Sequence, residues 1–288
     1  MQRDDLRIKI YSKIDQLPTL PIVLLKLVKL LDDPKSSVDD VTETISHDAA
    51  LAAKILKAAN SAYYGFPHQI TTLDRAVALL GFNMVKSLAV SIGVIQNLPS
   101  GKDSPRFTRR GLWIHSLAVG TAMKTLAESV GRNDDAECLF LVGLLHDIGK
   151  VVLDQFFRQP FASALELAEA NSEALFRAEE RIIGIEHGEV GGILLTRWKL
   201  PETIHRPIAS HHKFEIPDGT FAPDVSMLHV SDTLAQEVSL GEAGNPAPLP
   251  VTQEDLERLG LDTEDLQAIK KELERQRDAI YAFFSAIN

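Results

Sequence analysis

Gly143-Leu144-Leu145-His146-Asp147-Ile148-Gly149-Lys150 sets a histidine and an aspartate side by side at the end of a strongly apolar run. Burying an ionised carboxylate without a partner is costly even after relaxation, so Asp147 requires a cation, a hydrogen-bond cage or water. A metal ion is one such answer. Other polar residues sit on apolar helical stripes elsewhere in the chain. His115 lies between Leu112 and Val119 at helical spacing, His187 between Ile183 and Val190, and Asp232 between Leu228 and Ala235, while His211 and His212 follow Ile208. That spacing turns every one of them inward. Imidazole and carboxylate donors without a thiolate suit iron, manganese, nickel or zinc in a catalytic-type site rather than a Cys-rich structural zinc site. A single histidine on such a stripe is an ordinary core residue. The set as a whole carries the metal reading.

These residues carry a resemblance. The order His115, His146-Asp147, Asp232 resembles the ligand set of the HD superfamily of metal-dependent phosphohydrolases. With His187, His211 and His212 it is similar to the two-metal branch of that superfamily, the cyclic-di-GMP phosphodiesterases of HD-GYP type. The paired histidines of that branch are followed closely by a Gly-Tyr-Pro signature. Here the stretch is Lys213-Phe214-Glu215-Ile216-Pro217-Asp218-Gly219, and the missing signature counts against cyclic-di-GMP cleavage.

The amino-terminal half narrows the family. Leu17-Pro18-Thr19-Leu20-Pro21, Ile45-Ser46-His47-Asp48-Ala49-Ala50-Leu51, and the run from Lys54 through Asn60 and Tyr63-Tyr64 to Gly65 resemble the HDOD domain. So do Ala76-Val77-Ala78-Leu79-Leu80-Gly81 and Trp198-Lys199-Leu200-Pro201, and the likeness extends over residues 10 to 235. The resemblance implies an all-α, multi-helix HD-like bundle with an amino-terminal helical lobe. It also implies a bacterial signal-transduction protein, of a family often joined to receiver domains and mostly without catalysis, that acts through protein or ligand contacts. Because every position of the metal set is kept, a metal-dependent phosphohydrolase of a nucleotide or phosphodiester is the alternative. In the metal reading, His115, His146, Asp147 and Asp232 hold one ion, and His187, His211 and His212 hold a second that Asp147 bridges. Iron leads, with manganese, nickel or zinc as alternatives. Lys150 either offers its ammonium to a phosphate or stands as a cation at a helix C-terminus marked by Gly149.

Composition narrows the partners. The 288 residues are 45% hydrophobic and 24% charged, an ordinary globular balance. The single cysteine, Cys138, lies in an apolar run, which together with the lack of a signal-peptide core predicts a cytoplasmic protein. No apolar run is long enough to span a bilayer, so no membrane partner is expected. The formal net charge of −10 disfavours contact with nucleic acid through its phosphates. Val41 to Ala62 could pass for a helix-turn-helix, but Asp39, Asp40, Glu43 and Asp48 face only Lys54 and Lys57. The expected partner is a signalling protein, with a nucleotide or phosphodiester ligand as the second possibility.

Helical periodicity runs through almost the whole chain. Ile10, Ile14 and Leu17 start a pattern that stops at Pro18, and Pro21 reopens a helix to Leu31. Ser36 with Asp39 reads as a capping box, and a helix from Asp48 to Ala62 closes at Gly65 and Pro67. Thr72 caps Leu73 to Leu80. The polar stretch Leu98 to Pro105 is a boundary, and further helices are predicted near 106–130, 134–148, 150–157, 160–170, 173–183, 186–198, 201–212 and 224–239. Gly241 to Pro250 forms a second break before a pair of carboxy-terminal helices. The expected division is 1–104 for the amino-terminal lobe, 105–240 for the HD-like lobe and 241–288 for the carboxy-terminal linker and helices. The greasy end Ile280-Tyr281-Ala282-Phe283-Phe284 either docks on the body or forms a dimer contact.

Overall fold

The computed structural model describes residues 2–17, 19–33, 35–98, 103–104, 106–213 and 219–287. Pro18, part of the 98–105 boundary, and residues 214–218, where a Gly-Tyr-Pro signature would fall, lie outside the described residues. In chain order the helices are α1 (Gln2–Gln16), α2 (Ile22–Asp32), α3 (Val38–Ser46), α4 (Ala49–Ala59), α5 (Leu73–Leu80), α6 (Phe82–Asn97), α7 (Arg109–Ser129), α8 (Ala136–Leu145) and α9 (Ile148–Phe156). They continue as α10 (Arg158–Asn171), α11 (Leu175–Ile182), α12 (His187–Arg197), α13 (Glu202–Ser210), α14 (Ala222–Glu237), α15 (Gln253–Leu259), α16 (Thr263–Arg275) and α17 (Arg277–Ile287). A 3-10 turn, Gly219–Phe221, precedes α14. Among the described residues there is no strand, so the expected all-α class is the observed one.

Helices α2 to α6 pack on one another, and α6 rests on α8. Local chemistry fixes the ends of these elements. Ser37, not Ser36, caps α3, in a capping box with Asp40. Helix α4 ends at Ala59, short of the expected Ala62, where the Asn60 side chain bonds Leu56 O one turn back (2.7 Å) and pairs with the backbone of Ile70. Its Nδ2 donates to Ile70 O (2.8 Å) and its Oδ1 accepts from Ile70 N (2.7 Å).

The second half is organised by the long helix α7, whose most extensive partner is α8. Two glycines set that spacing. A Cβ on Gly120 would come within 2.7 Å of Phe140 O, and one on Gly143 within 2.6 Å of the Gly120 Cα. The same device brings α9 onto α12, since a Cβ on Gly149 would lie 1.9 Å from His187 O. Gly149 therefore serves close approach inside α9 and does not end a helix.

The carboxy-terminal segment forms three helices, not two, because Gly260 in the left-handed region (φ 67°) divides α15 from α16. Helix α17 buries Ile280, Phe283 and Phe284 and packs on both α4 and α7. Its greasy end thus docks on the body, with Phe283 against the rings of Tyr63 and Tyr64. No single described helix is long and apolar enough to cross a membrane.

Candidate metal centre

All seven predicted ligands converge. His115 comes from the middle of α7, His187 is the first residue of α12, and His211 and His212 follow the last turn of α13. Asp232 projects from α14. His146 and Asp147 do not continue a helix, as the sequence had suggested; they form the two-residue turn between α8 and α9. That turn lets the doublet face two directions. Asp147 Oδ2 lies 3.4 Å from His146 Nε2 and 3.9 Å from His115 Nε2, while Asp147 Oδ1 lies 3.1 Å from His187 Nε2. Asp232 Oδ1 is 2.9 Å from His115 Nε2 and 3.9 Å from His146 Nε2.

Donor atoms of His115, His146 and Asp232 lie within 4.8 Å of one another, as do those of His187, His211 and His212. Donor atoms of His146, Asp147 and His211 meet the same limit and join the two groups. The side chains are nearly all enclosed. Only Asp232 (15% exposed) and His212 (10%) reach the surface to any extent.

Protonation is set by what lies behind each ring. His146 Nδ1 is 2.7 Å from Gly143 O, and His211 Nδ1 is 2.7 Å from Ile208 O. A carbonyl only accepts, so both Nδ1 atoms carry the proton and both Nε2 atoms present a lone pair. His187 Nδ1 donates to Glu179 Oε2 at 2.6 Å, and the same oxygen accepts from His187 N at 2.8 Å. His212 Nδ1 sits 3.1 Å from Glu186 Oε2, and Glu186 also caps α12 by accepting from Gly188 N and Glu189 N. On the remaining side, Gln236 Nε2 donates to Asp232 Oδ1 at 2.7 Å. This is the outer layer that orients imidazole and carboxylate ligands in metal sites.

The inner faces of these groups point at one another. His115 Nε2 and His187 Nε2 have only the Asp232 and Asp147 carboxylates within reach, and His146 Nε2 and His211 Nε2 are buried with no hydrogen bond. An unsatisfied buried polar atom costs about 1–3 kcal/mol. Buried imidazole nitrogens and carboxylates that converge in this way fit a transition-metal ion.

Charge in the cluster is strongly coupled to burial. Burial pushes the His211 and His212 imidazoles below the usual histidine range, with the neighbouring His212 adding to the effect on His211. Burial also depresses His187, but the Glu179 carboxylate reverses the balance and raises its pKa to about 9. Burial opposes ionisation of Asp147 as well, yet His146 and Lys150 hold its carboxyl well below the ordinary range. His115 and His146 do the same for Asp232, and His212 for Glu186.

Lys150 is buried, and its Nζ donates to Asp147 Oδ2 at 2.7 Å. It stands in the first turn of α9, so its reading as a cation at a helix C-terminus is overturned. The helix break falls at the His146-Asp147 turn, before Gly149. Glu179, Glu186 and Gln236 were absent from the sequence reading. Glu179 had a signal of the same kind as the histidines, four residues after Leu175 and four before Ile183.

This arrangement of a helical bundle around a buried His/Asp cluster has relatives. The HDOD domain family matches residues 17–214, most of the chain, and the chain belongs to that family. A crystal structure of an HDOD domain protein of unknown function from Geobacter sulfurreducens is 29% identical and superposes with a TM-score of 0.82, covering 99% of this chain and 98% of that one. A protein named for an inferred role in signal transduction, from Marinobacter aquaeolei VT8, is 24% identical with a TM-score of 0.83 over all of this chain and 66% of its own. One named as an inferred phosphohydrolase, from Shewanella amazonensis SB2B, shares the fold at 22% identity and a TM-score of 0.77, covering 97% and 98%. An uncharacterized protein of Treponema pallidum (strain Nichols) is 27% identical over 227 residues, 79% of this chain. The chain spans 44% of the length of that curated relative.

Proposed function

We propose that this chain is a regulatory HDOD module of bacterial signal transduction whose buried His/Asp cluster holds a transition metal in a structural or sensory role. One observation carries the metal half: buried imidazole and carboxylate donor atoms within 4.8 Å of one another, backed by ring nitrogens whose protons are committed elsewhere. His115, His146, Asp147 and Asp232 would hold one ion. His187, His211 and His212 would hold another, with Asp147 turned to both. Iron is the leading candidate for an N/O donor set of this kind, with manganese, nickel and zinc as alternatives. A bound ion would supply Lewis acidity and acidify a coordinated water.

Enclosure supports the regulatory half. Five of the seven candidate ligand side chains are no more than 4% exposed, as suits an ion held inside the fold. Lys150 is already committed to Asp147, so its role here is to neutralise that carboxylate. Membership of the HDOD family supports a signalling role, and a signalling protein is the proposed partner.

Metal analysis of protein purified without chelator tests the reading, with Asp147→Ala alongside. Stoichiometric metal in the wild type and its loss in the variant are expected. Equal, negligible contents in both would sink the metal centre. Assay of the metal-loaded protein on bis-p-nitrophenyl phosphate and a nucleotide panel should give no turnover. Robust hydrolysis abolished by Asp147→Ala would instead establish the phosphohydrolase alternative.

A further inference from the structure

The exposed edge of the cluster is closed by an amide pair that belongs to neither group of ligands. Gln236, one turn beyond Asp232 on α14, donates from Nε2 to Asp232 Oδ1 (2.7 Å). Its Oε1 accepts from Asn245 Nδ2 at 3.0 Å, and Asn245 Oδ1 accepts from Leu175 N at 3.1 Å, at the start of α11. A continuous relay therefore runs from the most exposed candidate ligand, through two half-buried amides, to a helix end on the far side. Each bond has a fixed direction, because a carboxylate and a backbone N–H leave the amides only one workable orientation.

Beside this relay lies a cleft of about 600 Å³, lined among others by Gln236, Asn245, Thr108, Arg110, His115 and Tyr281. Of the candidate ligands, His115 alone is part of its lining. The loop that supplies Asn245 lies beyond residues 17–214 and is held against α7, where Glu242 N donates to Gly111 O (3.2 Å). Gly241, in the left-handed region at φ 77°, has room for no side chain there, since a Cβ would come within 2.3 Å of His115 N. The loop is thus fastened to the same helix that carries His115.

We propose that Gln236 and Asn245 form a latch over the open edge of the metal centre. They are positioning residues: they hold Asp232 in its ligating place and slow the passage of an ion between the centre and the cleft. This rests on the metal reading. Breaking the relay at either amide frees Asp232 to swing outward and lets an ion leave faster, although every candidate ligand residue is still present.

Cobalt(II), with its visible ligand-field bands, is the probe. Wild type, Gln236→Ala, Gln236→Glu and Asn245→Asp are loaded with the ion, and its release to excess EDTA is followed by the decay of those bands. Asn245→Asp keeps the acceptor for Leu175 N but cannot donate to Gln236, and Gln236→Glu keeps the acceptor for Asn245 but cannot donate to Asp232. All three variants are expected to release cobalt about tenfold faster than wild type, the lower range for loss of an outer-layer partner. The bands of the Gln236 variants should shift, and metal-free melting should match wild type for at least one variant. Release within twofold of wild type in every folded variant, with unchanged bands, overturns the latch and leaves the metal centre standing. A wild type that takes up no cobalt overturns both.

Discussion

At the scale of single residues, the centre separates ligands from the groups that orient them. Glu179 is fully buried and grips His187 at both its ring and its backbone nitrogen. Glu179→Gln should preserve the shape, weaken the pull on Nδ1 and reduce metal affinity by about tenfold to a hundredfold in competition with a chromogenic chelator; unchanged affinity would remove Glu179 from the outer layer. Lys150 makes a different prediction. Asp147→Ala leaves its ammonium buried and alone, so metal-free Asp147→Ala should be less stable than metal-free wild type by about 3–5 kcal/mol in urea titration. The double variant Asp147→Ala/Lys150→Met should recover most of that loss. The seven inner residues were legible because an inward-facing polar residue contradicts an apolar stripe, and that contradiction can be read from spacing alone. Gln236 was not, because a polar residue on a half-buried helix flank contradicts nothing until the loop that brings Asn245 to it is known.

At the scale of elements, the helices were legible and their junctions less so. Periodicity located nearly every helix, but the His146-Asp147 turn interrupts an apolar run with no glycine or proline at the break, so the sequence read it as continuous helix. Gly149 was misread for the matching reason: a glycine that permits close packing and one that stops a helix look alike without the neighbour in view. Gly149→Ala is expected to destabilise the protein by about 2–3 kcal/mol, by forcing α9 away from the backbone of His187, and to lower metal affinity with it. Thermal melting and cobalt titration would show both effects or neither. The tie between α14 and α15 has its own pH signature. Asp255 Oδ2 accepts from His229 Nδ1 (2.9 Å), Thr252 N (3.0 Å) and Thr252 Oγ1 (2.6 Å). Burial opposes its charge, but the His229 and Thr252 bonds hold the carboxyl well below the usual range. A depressed carboxylate contributes stability that is present above its unfolded pKa of about 4 and is lost as pH falls below it. Asp255→Asn should therefore cost stability at pH 7 and flatten the loss between pH 4 and more acid conditions, measured by denaturant titration across that range.

At the scale of the molecule, α17 and the metal centre both join parts of the chain that are far apart in sequence. Helix α17 seats Phe283 between α4 and α7, beside Tyr63 and Tyr64. Phe283→Ala is expected to cost about 3–5 kcal/mol and to lower the melting of the whole chain in one transition; a separate early transition confined to the carboxy-terminal helices would contradict that coupling. The centre draws its candidate ligands from α7, the α8–α9 turn, α12, the end of α13, and α14, so an ion that binds only the folded chain would add about 2.7 kcal/mol at a free concentration a hundredfold above its dissociation constant. His115, His146 and His211 would not share one fate in a chain that held no ion. His146 and His211 each spend a ring proton on a carbonyl three residues earlier, at a helix end that would otherwise leave that oxygen unpaired, whereas His115 sits in the middle of α7 with no such second duty. Descendants of this chain that abandoned metal would still be selected to keep His146 and His211 as helix stoppers, and His115 would be the first of the three to drift.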